Sequence, residues 1–140
     1  MPLLFVLMSG KRHSDYHCVL QVILDLIPRP PSVKKIVCDF EAALWTAMRE
    51  VFPRVYMQGC AFHWVQSIWR KIQNVELQQA YMGVSATQKF CRKLMAFPYL
   101  PAANIPTEFQ YRQTKAPTPQ LQQLTTYLSN TWMHRRLDHY

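Results

Sequence analysis

Between Val33 and Trp69 an apolar run, Val33-Lys-Lys-Ile-Val-Cys38, ends in Asp39 and gives way at once to a helix-like segment. A second short run closes at Gly59 and delivers Cys60 and His63 into another helix-like segment. A carboxylate at the end of a buried strand is costly unless it caps a helix or binds a cation. Asp39 precedes a helical run, so its oxygens can accept a backbone N–H at the helix start. The same group can serve as a metal ligand, and two oxygens allow both roles at once. Glu41 falls in the first helical turn, where a negative charge is favoured by the helix dipole.

The rest of the chain repeats this alternation. Pro2–Met8 is an unbroken apolar run closed by Ser9-Gly10, the pattern of a strand buried on both faces. After a basic turn, Ser14 or Asp15 can cap a helix carrying Tyr16, Val19, Leu20, Ile23 and Ile27, which Pro28-Arg-Pro-Pro31 stops. Val33–Cys38 is the second strand, and Glu41–Phe52 a helix with Leu44, Met48, Val51 and Phe52 on one side. Val55–Gly59 is the third strand. A helix from about His63 to Met82 carries Val65, Ile68, Trp69 and Ile72, and Ser85-Ala-Thr-Gln88 is a capping-box signature for the next. Phe90, Leu94 and Phe97 give that helix its buried side. Strands alternating with helices predict an α/β fold with parallel strands, whose active groups collect at the strand carboxyl ends.

Prolines at 98, 101, 106, 117 and 119 forbid a long regular element, so 98–119 reads as an extended linker. Leu121, Leu124 and Leu128 mark a last helix before a basic tail. The expected organisation is a core over 1–97, a linker over 98–119 and a helix with tail over 120–140.

At 140 residues, 49 % apolar and 17 % charged, the chain can bury a core and is not of disordered composition. The net charge of +8 favours an anionic partner, nucleic acid before membrane. The opening apolar run is too short to span a bilayer, and its flanks are not those of a signal peptide. Cys18, Cys38, Cys60 and Cys91 form no Cys-x-x-Cys pair, which points to a reducing intracellular compartment. Cys18 and Cys38 lie in apolar runs, where free cysteine acts as a small hydrophobe.

Cys60 and His63 have the spacing of zinc ligands, but a structural site needs two more, and Cys91, His134 and His139 lie at no familiar spacing. A Cys60 nucleophile with His63 as its base lacks an orienting third group. The basic pairs Lys11-Arg12, Lys34-Lys35, Arg70-Lys71, Arg92-Lys93 and Arg135-Arg136 are either solvated surface or contacts to a phosphate backbone. Trp45, Trp64 and Trp69 are core residues at helical spacing, with a base-stacking platform as the alternative.

Three stretches carry more than spacing does: Pro2-Leu-Leu-Phe-Val-Leu-Met-Ser-Gly-Lys11, Val37-Cys-Asp-Phe-Glu-Ala-Ala-Leu44, and Gly59-Cys-Ala-Phe-His-Trp-Val-Gln66 with Trp69-Arg-Lys71. In wording, order and spacing they resemble the Mutator-like element (MULE) transposase domain over most of residues 2–82. The resemblance implies a ribonuclease H-like fold, DNA as partner, a nuclear or nucleocytoplasmic location, and an Asp-Asp-Glu triad holding two Mg²⁺ or Mn²⁺ ions. Two such cations activate an attacking oxygen and stabilise the leaving oxygen of a phosphodiester, and carboxylates are the hard ligands they prefer. Asp39 matches the second Asp of the triad, as a metal ligand and catalytic residue. Cys60 and His63 match the Cys-x-x-His of the family, which supports either the metal site or the local fold. Lys11, Arg12, Lys34, Lys35, Arg70 and Lys71 are the candidate nucleic-acid contacts.

The chain also departs from that pattern. The first Asp would lie on a strand upstream of Pro2–Met8, and neither Glu76, Glu108 nor Asp138 has the context of the third acid. The expectation is therefore a partial ribonuclease H-like fold: three strands, mainly parallel, with flanking helices, lacking the first two strands. Such a fragment holds no metal stably, is inactive alone, and either pairs its strands directly or leaves open edges prone to self-association. A non-catalytic nucleic-acid-binding or interaction module and a small zinc-stabilised domain built on Cys60 and His63 are the alternatives.

Overall fold

The computed structural model describes residues 4–29, 31–83 and 85–133. They form two compact units, residues 1–60 and 61–140. In the first, α1 (His13–Leu26) packs on α2 (Ala42–Val51), and β1 (Lys35–Cys38) pairs in parallel with β2 (Tyr56–Gly59). The register sets Lys35 opposite Tyr56 and Cys38 opposite Gly59. The second unit is helical: α3 (Ala61–Asn74), α4 (Gln78–Met82), α5 (Ala86–Met95), α6 (Ile105–Thr114) and α7 (Pro119–Leu128). The architecture is thus mixed α/β, with a two-stranded parallel sheet among the described residues.

The β1–α2–β2 crossover closes as expected for parallel strands. β-branched Ile36 and Val37 favour the extended backbone of β1, and Pro53 follows the last turn of α2. Phe40 then folds back so that its ring lies directly on Gly59, where any Cβ would overlap it. The same ring stacks on Trp45, centroids 6.2 Å apart, and the Trp45 indole is 7 % exposed. On α2 the buried positions are Trp45 and Ala47, while the anticipated stripe of Leu44, Met48, Val51 and Phe52 is half-buried.

Trp64 is the hub of the helical unit. Its indole N–H donates to the Leu94 carbonyl at 2.9 Å, and its ring stacks on Phe97 and meets Trp132 edge-on. Phe90, Leu94 and Phe97 are buried as expected, and Leu121, Leu124 and Leu128 are fully buried along α7. Ser85 caps α5 by accepting the Gln88 N–H at 3.1 Å, the bond its capping-box signature predicts.

Five readings need correction. Residues 4–8 form no strand, and Phe5 and Leu7 are 84 % and 102 % exposed; Pro2 and Leu3 lie outside the described residues. An apolar run becomes a strand only when a neighbour takes its backbone hydrogen bonds, and among the described residues β1 pairs with β2 alone. The cap of α1 is Arg12, with Asp15 one turn inside accepting the Arg12 N–H at 2.9 Å, so neither Ser14 nor Asp15 is the cap. The helix anticipated over 63–82 breaks after Asn74, where Glu76 adopts φ 59°. Residues 98–119 are not extended: Pro106 falls in the first turn of α6, where a missing N–H costs no hydrogen bond, and Phe109 is buried. Cys18 is exposed rather than packed as a hydrophobe. The tail residues His134, Arg135, Arg136, Asp138 and His139 lie outside the described residues.

Two outcomes follow for stability. Gly59→Ala costs about 1–3 kcal/mol by overpacking against Phe40, and most of that cost vanishes in a Phe40→Ala background, read from a double-mutant cycle of denaturant unfolding. Equal costs in both backgrounds would refute the contact. Glu76→Gly relieves the left-handed backbone and gains up to about 1 kcal/mol, seen as a higher unfolding midpoint.

Candidate functional site

The carboxyl ends of the two strands bring Cys38, Asp39 and Cys60 together. The ladder runs one bond past the strands, the Cys60 N–H donating to the Cys38 carbonyl at 2.8 Å. The Asp39 backbone is pinned because the Trp45 indole N–H donates to its carbonyl at 2.7 Å. Its exposed side chain accepts the Phe40 N–H through Oδ1 at 2.7 Å. The N-cap position of α2 falls two residues further on, at Glu41. Burial, with the neighbouring Asp39 and Cys60 adding to it, pushes the Cys38 thiol up to about 11.

Glu41 has a use that its place in the chain did not announce. Tyr16 of α1 donates its hydroxyl to Glu41 Oε2 at 2.6 Å. That hydrogen bond raises the Tyr16 phenol from the usual 10.0 to about 12, with burial and the charges of Glu41, Asp39 and Asp15 contributing further. Near the other end of α2, Glu50 Oε2 lies 2.8 Å from His13 Nε2. Two side chains of α1 are thereby tied to α2. Partners 25 and 37 residues apart leave no local signal in sequence.

The candidate phosphate contacts fall in both units. Lys34 and Lys35 are exposed at the amino end of β1, Lys35 roughly 13 Å from Asp39 at about 3.3 Å per residue. Lys35 also lies 5.9 Å above the Tyr56 ring. Lys11 is exposed, and the Arg12 side chain, 82 % exposed, pairs with Asp15, whose carboxyl is held low by the Arg12 backbone N–H and then the guanidinium. In the helical unit Arg70 is exposed, whereas Lys71 donates to Asn74 Oδ1 and sits 5.5 Å over Tyr127 of α7. Lys71 is thus a packing residue as well as a charge. His63 occupies the first turn of α3 with Phe62 edge-on to its ring.

Among the described residues no three His, Cys, Asp or Glu side chains gather to hold a metal ion. Asp39 by itself does not meet the needs of a two-cation centre, and His134 and His139, the histidines weighed with Cys60 and His63 as zinc ligands, lie outside the described residues. No chemical step is therefore assigned to a metal on these residues.

The Tyr16 bond fixes the sign of a pH effect. A phenol whose ionisation is raised by folding stabilises the protein fully below pH 10, and that contribution is lost as pH rises through about 12. Tyr16→Phe removes this alkaline loss, so wild type and variant converge in stability near pH 12, measured by denaturant unfolding from pH 8 to 12. A constant difference across that range would refute it.

No curated protein and no solved structure matches the chain significantly. Residues 1–67 match the family model of the MULE transposase domain, a span that takes in β1, α2, β2 and the first turns of α3. The stretch that carries Asp39, Cys60 and His63 therefore belongs to the MULE transposase domain family.

Proposed function

We propose that this chain is a segment of a Mutator-like DNA transposase that contacts DNA and performs no strand cleavage by itself. The observation that carries this reading is the family match over residues 1–67 with Asp39 at the carboxyl end of a parallel strand. In α/β sheets that is where functional groups collect. A ribonuclease H-like sheet in the complete domain would add further strands beside the β1–β2 pair. It would also supply the two carboxylates that join Asp39 in binding Mg²⁺ or Mn²⁺. A nuclear site of action accords with a DNA substrate.

Two features support a binding rather than a catalytic role for these residues. Asp39 is the sole member of the triad that this chain matches, and one carboxylate is too few ligands for two divalent cations. The exposed apolar residues Phe5, Leu7 and Val37, with a sheet of only two strands among the described residues, favour association with further strands or a second copy. No helix among the described residues is long and apolar enough to cross a membrane.

Two measurements test the proposal. Supercoiled plasmid incubated with the purified chain and Mg²⁺ or Mn²⁺ stays uncut; nicking that Asp39→Ala abolishes would overturn the inactive reading. Duplex DNA binding weakens as salt rises, with a slope of about −0.9 per phosphate contacted. Binding that ignores salt would count against a phosphate-contacting segment.

A further inference from the structure

We infer that the solvent face of α5 is a phosphate-backbone contact surface, formed by Lys89, Arg92 and Lys93, outside the stretch that matches the transposase family. The inference rests on the DNA-contacting reading above and adds a second place where contact is made. Positions 89, 92 and 93 are spaced i, i+3 and i+4, so the three cations share one face within about 6 Å along the axis. All three are exposed, and none pairs with an acidic side chain among the described residues.

The charge balance of the helical unit sharpens this. Across residues 61–133 the cations are Arg70, Lys71, Lys89, Arg92, Lys93, Arg112 and Lys115, and the acids are Glu76 and Glu108. Glu108 is already engaged by Arg112 at 2.6 Å, and Lys71 by Asn74 and Tyr127. The stripe on α5 is the densest remaining positive charge. Helix stability does not account for it. Arg92 and Lys93 lie in the last turn, where the dipole favours cations, but Lys89 is the fourth residue of the helix, where it does not. Lys89 and Lys93 also repel each other at i, i+4. A face that gathers like charges against local preference suits an external polyanion.

The apolar side of α5 decides between polyanions. Phe90, Cys91 and Leu94 are 9 %, 0 % and 0 % exposed, so the helix has no free apolar face to sink into a bilayer. Tyr99, 78 % exposed and just beyond the helix end, adds an aromatic ring on which a base can stack. Nucleic acid is the partner that both features fit.

The full chain tests the inference in two ways. Acetylation of lysine amines, read by mass spectrometry, is compared for the free chain, the chain with duplex DNA, with single-stranded DNA of equal length, and with phosphatidylserine–phosphatidylcholine vesicles. Lys89 and Lys93 become protected several-fold by either DNA; protection by vesicles alone, or equal reactivity with and without DNA, overturns the proposal. Separately, the Lys89→Gln, Arg92→Gln, Lys93→Gln triple variant, checked for native helicity by circular dichroism, lowers the magnitude of the salt slope by about 2–3. An unchanged slope sinks this surface while leaving DNA binding by the chain intact. A wild-type chain that binds no DNA sinks both.

Discussion

The seat of the Phe40 ring on Gly59 holds the α/β unit together. Strand β1 and helix α2 are adjacent in sequence, and β2 is held to them by four rungs of parallel ladder and by this contact among others. The ring also stacks on Trp45, whose indole in turn fixes the Asp39 carbonyl. Strand end, helix start and candidate ligand are therefore positioned by one chain of contacts. A glycine is required because the aromatic ring occupies the volume any side chain would need, not because the backbone there is left-handed. The residues flanking Asp39 and Cys60 thus have a packing reason as well as a chemical one.

Much of this arrangement was legible in sequence, and the failures share a cause. Elements announced by an internal signal appeared: β1 by its β-branched run, α5 by Ser85 and Gln88, α7 by leucines at 121, 124 and 128. Elements that depend on a partner were misread. Residues 4–8 have the composition of a strand but pair with no strand among the described residues. The prolines at 106 and 119 were read as breakers, although both open helices, positions where proline is well tolerated. The break at Glu76 carries no glycine to mark it, and tertiary burial of Val75 and Leu77 on either side enforces the turn.

The candidate site was legible in its residues and not in its connections. Asp39 stands at a strand end as its context implied, and Cys60 extends the adjacent ladder. The tyrosine that bonds Glu41 comes from a helix on the other side of a proline-rich turn, and no spacing rule reaches that far. The six nominated cations are pairs of adjacent basic letters, at the start of α1, at the base of β1 and on α3. The α5 stripe shows the converse. One of its members, Lys89, has no basic neighbour in sequence and joins the other two only through helical geometry.

The two units differ in how deeply they are packed, and that difference bears on how such a chain is recognised. Among the described residues of the first unit the buried apolar side chains are Leu20, Trp45 and Ala47, whereas the helical unit buries an aromatic cluster and three leucines of one helix. Apolar burial is the main source of resistance to local opening. The residues matched to the family therefore lie mostly in the unit with fewer buried apolar side chains among those described. The helical unit, which buries more, lies largely beyond residue 67, where the match ends. The family's motif and the larger apolar core thus reside in different units, so a change in one need not alter the other.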